Sequence, residues 1–255
     1  MTNTVLLELA ITAAKSASEK ILEVYNSNDF QVERKGDNSP LTIADKRSHE
    51  VIQEGLNQSG LPILSEEGRD IPYEERSRWE SFWMVDPIDG TKEFIKRNGE
   101  FTVNIALIEG NKPVLGVVMV PVSGNIYSAI KGEGAYKNEK RIFVNSCSYE
   151  DTNLRVVASR SHLNEETEKF IGNLNDPVIV SKGSSLKLLM VAEGEADLYP
   201  RYAPTMEWDT AAAQIIVEEA GGSVRIANEK DSVKYNKPNL LNPFFLVSGK
   251  VSDFN

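Results

Sequence analysis

The stretch 83–91, which reads Trp-Met-Val-Asp-Pro-Ile-Asp-Gly-Thr, constrains the fold of this chain more than any other segment. Large apolar residues run into two aspartates and a Gly-Thr step, which predicts a short buried strand that ends in a turn. Asp86 and Asp89 supply hard oxygen ligands suited to Mg²⁺, and Pro87 stiffens the bend between them. Gly90 lets the backbone approach an anion closely. A helix beginning at Thr91 would point free N–H groups at a phosphate oxygen.

A surface turn is the alternative interpretation of this stretch, because Asp, Pro and Gly are common turn formers. The residues before the turn are large and apolar, however, so the turn closes a strand of the core. Two carboxylates at the end of one buried strand would repel each other without a cation. The segment therefore favours a metal site with an anion beside it.

The overall charge of the chain limits the classes of partner that it can bind. Its 255 residues suffice for one large domain or two fused halves, and its net charge is -10. Such a charge argues against non-specific binding of a nucleic-acid polymer. It is compatible with a small phosphorylated substrate, because bound cations change the local sign of the charge.

The few cysteines and histidines exclude several kinds of metal site. Cys147 is the only cysteine, and His49 and His162 are the only histidines, so Cys-based zinc sites and multi-histidine centres are excluded. The N-terminal residues lack the basic region of a signal peptide, and no apolar run reaches transmembrane length. We therefore expect a cytoplasmic protein without a transmembrane segment.

The spacing of apolar residues predicts the order of helices and strands. Helices are predicted over 4–26, 45–57 and 91–97, a short strand over 62–67, and antiparallel strands over 101–108, 114–121 and 125–130, with turns and one further strand over 132–144. The second half alternates: strand 154–159, helix 164–173, strand 178–181, helix 184–193, strand 196–200, helix 209–220 and strands 222–226 and 244–248. The first half is therefore α+β and the second α/β. We place the junction near 148–153, which gives halves 1–150 and 151–255 in one compact unit with the active site between them.

Two further acidic positions have competing interpretations. Glu66 and Glu67 end a predicted strand, but a solvated acidic loop is the alternative because the loop at 68–80 is also rich in charge. Asp209 follows Trp208 and precedes an alanine-rich apolar run, which places it at or near the N-terminus of a buried helix. Ordinary helix capping is the alternative there. An aspartate at that position would point inward, towards whatever the core presents.

Together these segments resemble the inositol monophosphatase superfamily. Residues 86–91 match one signature of that superfamily, and residues 208–209 followed by 219–222 match the second, in the same order. The resemblance extends from the N-terminal helix to about residue 249. It implies a layered αβαβα sandwich and a Mg²⁺-dependent, lithium-sensitive phosphomonoesterase that uses two or three ions.

Within the superfamily, the chain looks most like the 3'(2'),5'-bisphosphate nucleotidases of the bacterial CysQ type. The closer match is carried by residues 37–45, 64–67, 92–104, 183–187 and 194–201. It implies hydrolysis of the 3'-phosphate of adenosine 3',5'-bisphosphate to give AMP, with the 5'-phosphosulfate analogue as a second substrate and a place in sulfur metabolism. An inositol or other sugar-phosphate phosphatase is the alternative, and a catalytically inactive regulatory binder of the same fold is another. A monomer and a homodimer both remain open.

Carried over residue by residue, the resemblance assigns the metal ligands. They are the side chains of Glu66, Asp86, Asp89 and Asp209 and the backbone carbonyl of Ile88. Asp45, Thr91 and Glu66 form the catalytic group, in which Asp45 and Thr91 orient and deprotonate the attacking water.

The resemblance also assigns the substrate contacts. Gly90 and Thr91 would bind phosphate through backbone N–H groups, with Asp209 beside them. His162, Ser184, Lys187 and Arg201 match positions that contact the nucleotide. A structural or surface histidine is the alternative for His162, and solvated charges at a helix edge are the alternative for Lys187 and Arg201. The charged loop at 68–80 is a candidate gate of the site.

Overall fold

A computed structural model describes residues 1–27, 30, 32–34, 40–68, 70–158 and 164–252. The helices are α1 (Asn3–Tyr25), α2 (Ile43–Asn57), α3 (Tyr73–Arg76), α4 (Thr91–Ile95), α5 (Glu165–Gly172), α6 (Leu186–Ala192) and α7 (Ala211–Glu219). Short 3₁₀ turns cover Glu66–Gly68 and Glu207–Asp209. The strands are β1 (Glu33–Arg34), β2 (Pro40–Leu41), β3 (Ile63–Ser65), β4 (Ser81–Asp89), β5 (Thr102–Glu109), β6 (Lys112–Val120), β7 (Asn125–Ile130), β8 (Gly134–Lys137), β9 (Lys140–Ile142), β10 (Ser146–Cys147), β11 (Arg155–Val157), β12 (Val178–Val180), β13 (Leu198–Arg201), β14 (Ser223–Ile226), β15 (Phe245–Ser248) and β16 (Lys250–Val251).

The strands form a large and a smaller sheet, together with the short pairs β1–β2 and β10–β16. The large sheet has the order β3-β4-β5-β6-β7-β8-β9, in which β3 runs parallel to β4 and all other neighbours are antiparallel. The smaller sheet has the order β12-β11-β13-β15-β14. The carboxyl ends of β3 and β4 meet at one end of the large sheet, where β4 ends at Asp89 and Glu66 directly follows β3.

Strand β4 is buried on both faces, because successive side chains of a strand point to opposite sides. Trp83 and Val85 pack in the core that contains α1 and α2. Phe82 and Met84 pack in the core that contains α6, α7 and the inner face of the smaller sheet. Phe170 of α5 covers the other face of that sheet. The layers are thus helices, sheet, helices, sheet and helix, which confirms the expected αβαβα sandwich.

Helix α7 packs unusually close to the large sheet. A Cβ atom added at Gly116 of β6 would lie 2.4 Å from the carbonyl oxygen of Ala212, so only glycine fits beneath the helix. The small residues Ala211, Ala212 and Ala213 are all buried there. This close contact fixes the start of α7, and with it the 3₁₀ turn that ends at Asp209, against β4 and β5.

The predicted elements agree with the structure wherever the apolar pattern is long enough to show a period. Residues 132–144 hold β8 and β9 rather than one strand, and the predicted helix at 209–220 divides into a 3₁₀ turn and α7. The pattern gave no sign of β10, β16 or α3, because segments of two to four residues show no periodicity. The division at 148–153 stays a prediction. None of the helices in the described ranges has the length and apolar composition needed to cross a membrane.

Asp197 connects the chain on either side of the predicted junction. Its Oδ1 accepts hydrogen bonds from Asn145 Nδ2 at 3.0 Å and from Arg155 Nη2 at 2.8 Å. Its Oδ2 accepts from the backbone N–H of Arg155 at 2.8 Å. Burial alone would raise the pKa of Asp197, but the bonds from Arg155 and Asn145 outweigh it and lower that pKa below its ordinary value.

We predict that Asp197→Asn lowers the free energy of unfolding by about 1 to 3 kcal/mol at pH 7, because it weakens bonds to a charged acceptor. A lowered pKa in the folded state stabilises the fold above the unfolded pKa of about 3.9, and this stabilisation is lost as the pH falls through the folded pKa. Urea unfolding at pH 7, 5, 4 and 3 should therefore show the two proteins converging below about pH 4. Glu229→Gln, at an exposed position, is the control. A difference that stays constant with pH would contradict this role of Asp197.

Candidate active site

Strand β4 and the 3₁₀ turn Glu207–Asp209 bring three carboxylates together. Asp86, Asp89 and Asp209 each offer an oxygen atom, and these atoms all lie within 4.8 Å of one another. Burial raises the pKa of Asp89 and raises that of Asp209 well above its ordinary value, and the neighbouring charge of Asp89 raises the latter further. An oxygen-only donor set of this kind fits a hard divalent cation. The group could therefore hold a metal ion.

Each of these carboxylates is oriented by its own hydrogen bond. The backbone N–H of Ile88 donates to Asp86 Oδ1 at 3.0 Å, so the bend of β4 fixes the first aspartate. Ser184 Oγ donates to Asp89 Oδ2 at 2.7 Å. The backbone N–H of Met206 donates to Asp209 Oδ2 at 2.8 Å. Asp209 therefore caps its own 3₁₀ turn and lies one residue before the N-cap of α7.

Glu66 joins this acidic region from β3, the neighbouring strand. It begins the 3₁₀ turn after β3 and lines the same cavity as Asp89 and Asp209. Its charge contributes to the raised pKa of both aspartates. The carbonyl oxygen of Ile88 lies 3.4 Å from Thr91 Oγ1, at the end of β4. The structure thus brings Glu66, Asp89 and Asp209 to one cavity, and their roles as ligands stay predictions.

The predicted pair Asp45 and Thr91 is in contact. Thr42 caps α2, and its backbone N–H and Oγ1 donate to Asp45 Oδ2 at 2.7 and 2.6 Å, which forms a capping box. The remaining oxygen, Oδ1, accepts from Thr91 Oγ1 at 3.2 Å. Asp45 is 1% exposed, so the capping box holds a buried carboxylate in place and directs one oxygen at Thr91.

Gly90 makes the turn between β4 and α4 possible. Its φ of 95° lies in the left-handed region that favours glycine. A Cβ atom there would lie 3.0 Å from the carbonyl oxygen of Glu100 and 3.3 Å from Ser184 Cβ. Gly90 and Thr91 both line a cavity of about 1120 Å³, as do Glu66, Asp89, Ser184 and Asp209.

Lys187 and Arg201 form the cationic part of that cavity. Lys187 Nζ donates to the carbonyl oxygen of Ser184 at 2.6 Å, and Arg201 Nη2 donates to that of Pro204 at 2.9 Å. Burial lowers the pKa of Lys187, although the charge of Asp89 opposes that effect. Lys187 is therefore not a freely solvated charge, and Arg201 lies on β13 rather than at a helix edge. His162 lies outside the described residues, and its predicted contact with the nucleotide stays a prediction.

Two residues that support the site were not singled out by the sequence analysis. Ser48 Oγ donates to the carbonyl oxygen of Pro87 at 2.8 Å and so joins α2 to the bend of β4. Glu207 is fully buried and accepts from the backbone N–H of Asn236 and from Lys237 Nζ, each at 2.5 Å. Both could have been found: Ser48 lies three residues after Asp45 on the same helix face, and Glu207 is an acid between two large apolar residues.

The charged loop that follows Glu66 is connected to the Asp209 turn. Arg76 of α3 is 3% exposed and donates through Nη1 to Asn236 Oδ1 at 2.8 Å. Asn236 in turn binds Glu207, two residues before Asp209. The loop is therefore anchored at Arg76. The role of the loop as a gate of the site stays a prediction.

Comparison with known proteins identifies the family. The model of the inositol monophosphatase family matches residues 2–251. The 3'(2'),5'-bisphosphate nucleotidase CysQ of Escherichia coli (strain K12) is 44% identical over 247 residues, which cover 95% of this chain and 99% of the relative. The crystal structure of CysQ from Bacteroides thetaiotaomicron is 46% identical, covers 96% of this chain and 97% of that chain, and has a TM-score of 0.85. An inositol monophosphatase from Thermotoga maritima is 25% identical with a TM-score of 0.78, over 96% of this chain and 92% of that one. This chain therefore belongs to the inositol monophosphatase family, within its CysQ-type branch.

Proposed function

We propose that this protein is a Mg²⁺-dependent 3'(2'),5'-bisphosphate nucleotidase that hydrolyses the 3'-phosphate of adenosine 3',5'-bisphosphate to give AMP and phosphate. The observation that carries the proposal is the convergence of Asp86, Asp89 and Asp209 beside the contact between Asp45 and Thr91. The names of relatives at 44% identity over 95% of the chain support the choice of substrate.

The size and charge of the cavity support a nucleotide substrate. A volume of about 1120 Å³ exceeds what a phosphate group needs and lies just above the usual range of ligand pockets, about 300 to 1,000 Å³. Its acidic side, with Glu66, Asp89 and Asp209, suits cations that bind the reacting phosphate. Lys187 and Arg201 line the same cavity and offer cationic donors to a second phosphate. A bisphosphate would bring a second phosphate to these cations, whereas a simple monophosphate would not.

The carboxylates of Glu66, Asp86, Asp89 and Asp209, with the carbonyl oxygen of Ile88, would hold two or three Mg²⁺ ions. Bound Mg²⁺ would supply the positive charge that acidifies a water molecule and neutralises the phosphate dianion. With a metal-activated water as the attacking group, the protein needs no nucleophile of its own. Backbone N–H groups of Gly90 and Thr91 would bind the phosphate oxygens as charge spreads onto them.

Thr91 and Asp45 provide a route for the proton of the attacking water. Thr91 Oγ1 already donates its proton to Asp45 Oδ1, so its lone pairs are free to accept from a water molecule. The capping bonds from Thr42 keep Asp45 Oδ2 occupied, which leaves Oδ1 as the proton acceptor. Thr91 thus orients the water, and the pair accepts its proton as the new bond to phosphorus forms.

The first experiment compares phosphate release from adenosine 3',5'-bisphosphate and from inositol 1-phosphate, with Mg²⁺, side by side. We expect a strong preference for the nucleotide in kcat/KM. The 5'-phosphosulfate analogue should also be hydrolysed, because its 3'-phosphate is the same. Preference for inositol 1-phosphate would keep the metal centre and overturn the nucleotide assignment. No hydrolysis of any phosphomonoester would leave a regulatory binder of the same fold.

We predict that Asp89→Asn lowers kcat by about 100-fold or more, because it removes an anionic ligand while it keeps the shape of the side chain and the bond from Ser184. Steady-state kinetics at saturating Mg²⁺ measure the effect, and calorimetric titration of Mg²⁺ measures the loss of metal binding. Asp231→Asn, at an exposed position, is the matched control. Near-normal turnover of the Asp89 variant at saturating Mg²⁺ would remove Asp89 from the metal site.

Lys187→Ala should raise KM for adenosine 3',5'-bisphosphate by about 10-fold or more, because a bond to a charged phosphate is worth about 1.5 to 3 kcal/mol. The effect on adenosine 3'-monophosphate, which lacks the distal phosphate, should be several-fold smaller. Lys234→Ala, an exposed lysine outside the cavity, is the control. Equal increases for both substrates would exclude Lys187 from recognition of the second phosphate.

A further inference from the structure

A chain of buried hydroxyl groups ends at Asp89. Ser184 Oγ lies 2.7 Å from Asp89 Oδ2, and Thr102 Oγ1 lies 2.6 Å from Ser184 Oγ. Ser185 Oγ lies 2.8 Å from Thr102 Oγ1 and 3.0 Å from Asn104 Oδ1. Thr102 is fully buried and does not line the cavity, so it contacts neither substrate nor solvent.

The direction of the hydrogen bonds in this chain follows from the carboxylate. An ionised carboxylate only accepts, so the proton of Ser184 is donated to Asp89. Ser184 therefore has no proton for Thr102. The Thr102 hydroxyl has two acceptors within reach, Ser184 Oγ at 2.6 Å and Asn104 Oδ1 at 3.2 Å, and the shorter contact is a hydrogen bond only if Thr102 donates to Ser184. The hydroxyl dipoles of Thr102 and Ser184 then both point towards Asp89. Consecutive hydrogen bonds of the same direction strengthen one another in a low-dielectric interior.

The backbone explains why these three residues meet. Thr102 is the direct partner of Asp89 across β4 and β5, and directly paired residues place their side chains on the same face of a sheet. Ser184 has a φ of 53°, which a residue with a side chain rarely adopts. The preceding Gly183 leaves no room for a Cβ atom, which would lie 2.9 Å from Glu93 Cγ. Tight packing thus holds Ser184 in a strained conformation that directs its hydroxyl at Asp89.

We propose that Thr102 is a positioning residue of the metal site: it orients the Ser184 hydroxyl, which in turn orients Asp89 towards the metal. This assigns to Ser184 a role in the metal centre in addition to its predicted contact with the nucleotide. Ser184 is 8% exposed and also carries, through its carbonyl oxygen, the bond from Lys187. The inference rests on the proposed function, because it takes Asp89 to be a metal ligand.

The test removes the Thr102 hydroxyl and keeps the shape of the side chain. Thr102→Val should weaken binding of Mg²⁺ to the substrate-free protein by about 5- to 10-fold, which corresponds to the loss of one ordinary hydrogen bond between hydroxyl groups. Calorimetric titration of Mg²⁺ measures this without any turnover. Thr102→Ser, which keeps the hydroxyl, should restore affinity to within about twofold. Thr12→Val, at an exposed position of α1, controls for the type of substitution.

A double-mutant cycle separates positioning from a general effect on stability. If Thr102 acts through Ser184, the double variant Thr102→Val/Ser184→Ala should bind Mg²⁺ no more weakly than Ser184→Ala alone. Additive losses, or unchanged Mg²⁺ affinity in Thr102→Val with only a lower melting temperature, would overturn the proposal. If Thr102→Val does not fold, Thr102→Ala takes its place, with the same expected loss and the same contrary outcome.

The same titration distinguishes this inference from the proposed function. If Asp89→Asn binds Mg²⁺ as tightly as the unaltered protein, the metal site itself is wrong and the role of Thr102 falls with it. If Asp89→Asn weakens binding but Thr102→Val does not, the metal site stands and only the role of Thr102 is wrong.

Discussion

Mutual repulsion between the carboxylates at the end of β4 is the constraint on which the rest of the site depends. Oxygen atoms of Asp86, Asp89 and Asp209 lie within 4.8 Å, where two unit charges repel by about 3 to 4 kcal/mol in a partly buried setting. The fold offsets this repulsion with donors placed in advance. A backbone N–H, a serine hydroxyl and a second backbone N–H each bind one of the carboxylates. The repulsion that these donors do not offset disfavours the protein without a cation and so favours binding of a divalent cation.

The donors are effective because rigid elements carry them. The bend of β4 is attached to α2 through Ser48, and α2 also carries Asp45. The turn that ends at Asp209 is held from one side by α7, which lies against Gly116, and from the other by the bonds of buried Glu207. Carboxylates from distant parts of the chain are thus brought together by elements that these contacts hold in place. A substitution that shifted any of these contacts would change the distances between the carboxylates.

Local patterns in the sequence allowed most helices and strands and the acidic residues to be predicted, whereas the layered sandwich was predicted from the resemblance to a known family. The apolar run of β4 predicts a buried strand that leads into Asp86 and Asp89, and Asp209 precedes the apolar run of α7. The supporting contacts could not be predicted in the same way. Ser184 reaches Asp89 across 95 positions, and Thr102 reaches Ser184 across 82. Such pairs depend on the register of β4 and β5 and on a strained backbone at Ser184, neither of which shows a period in the sequence.

On the proposed function, one group of residues in the cavity acts on the reacting phosphate and another binds the second phosphate. The carboxylates, Thr91 and Asp45 come from β3, β4, α2 and the turn before α7, whereas Lys187 and Arg201 come from α6 and β13. The fold is shared with an inositol monophosphatase at 25% identity, so the fold alone does not set the choice of substrate. Ser184 belongs to both sides, since its hydroxyl binds Asp89 while its carbonyl binds Lys187. A substrate that displaced Ser184 would therefore also disturb Asp89. In this way, recognition of the second phosphate is coupled to the chemistry at the first.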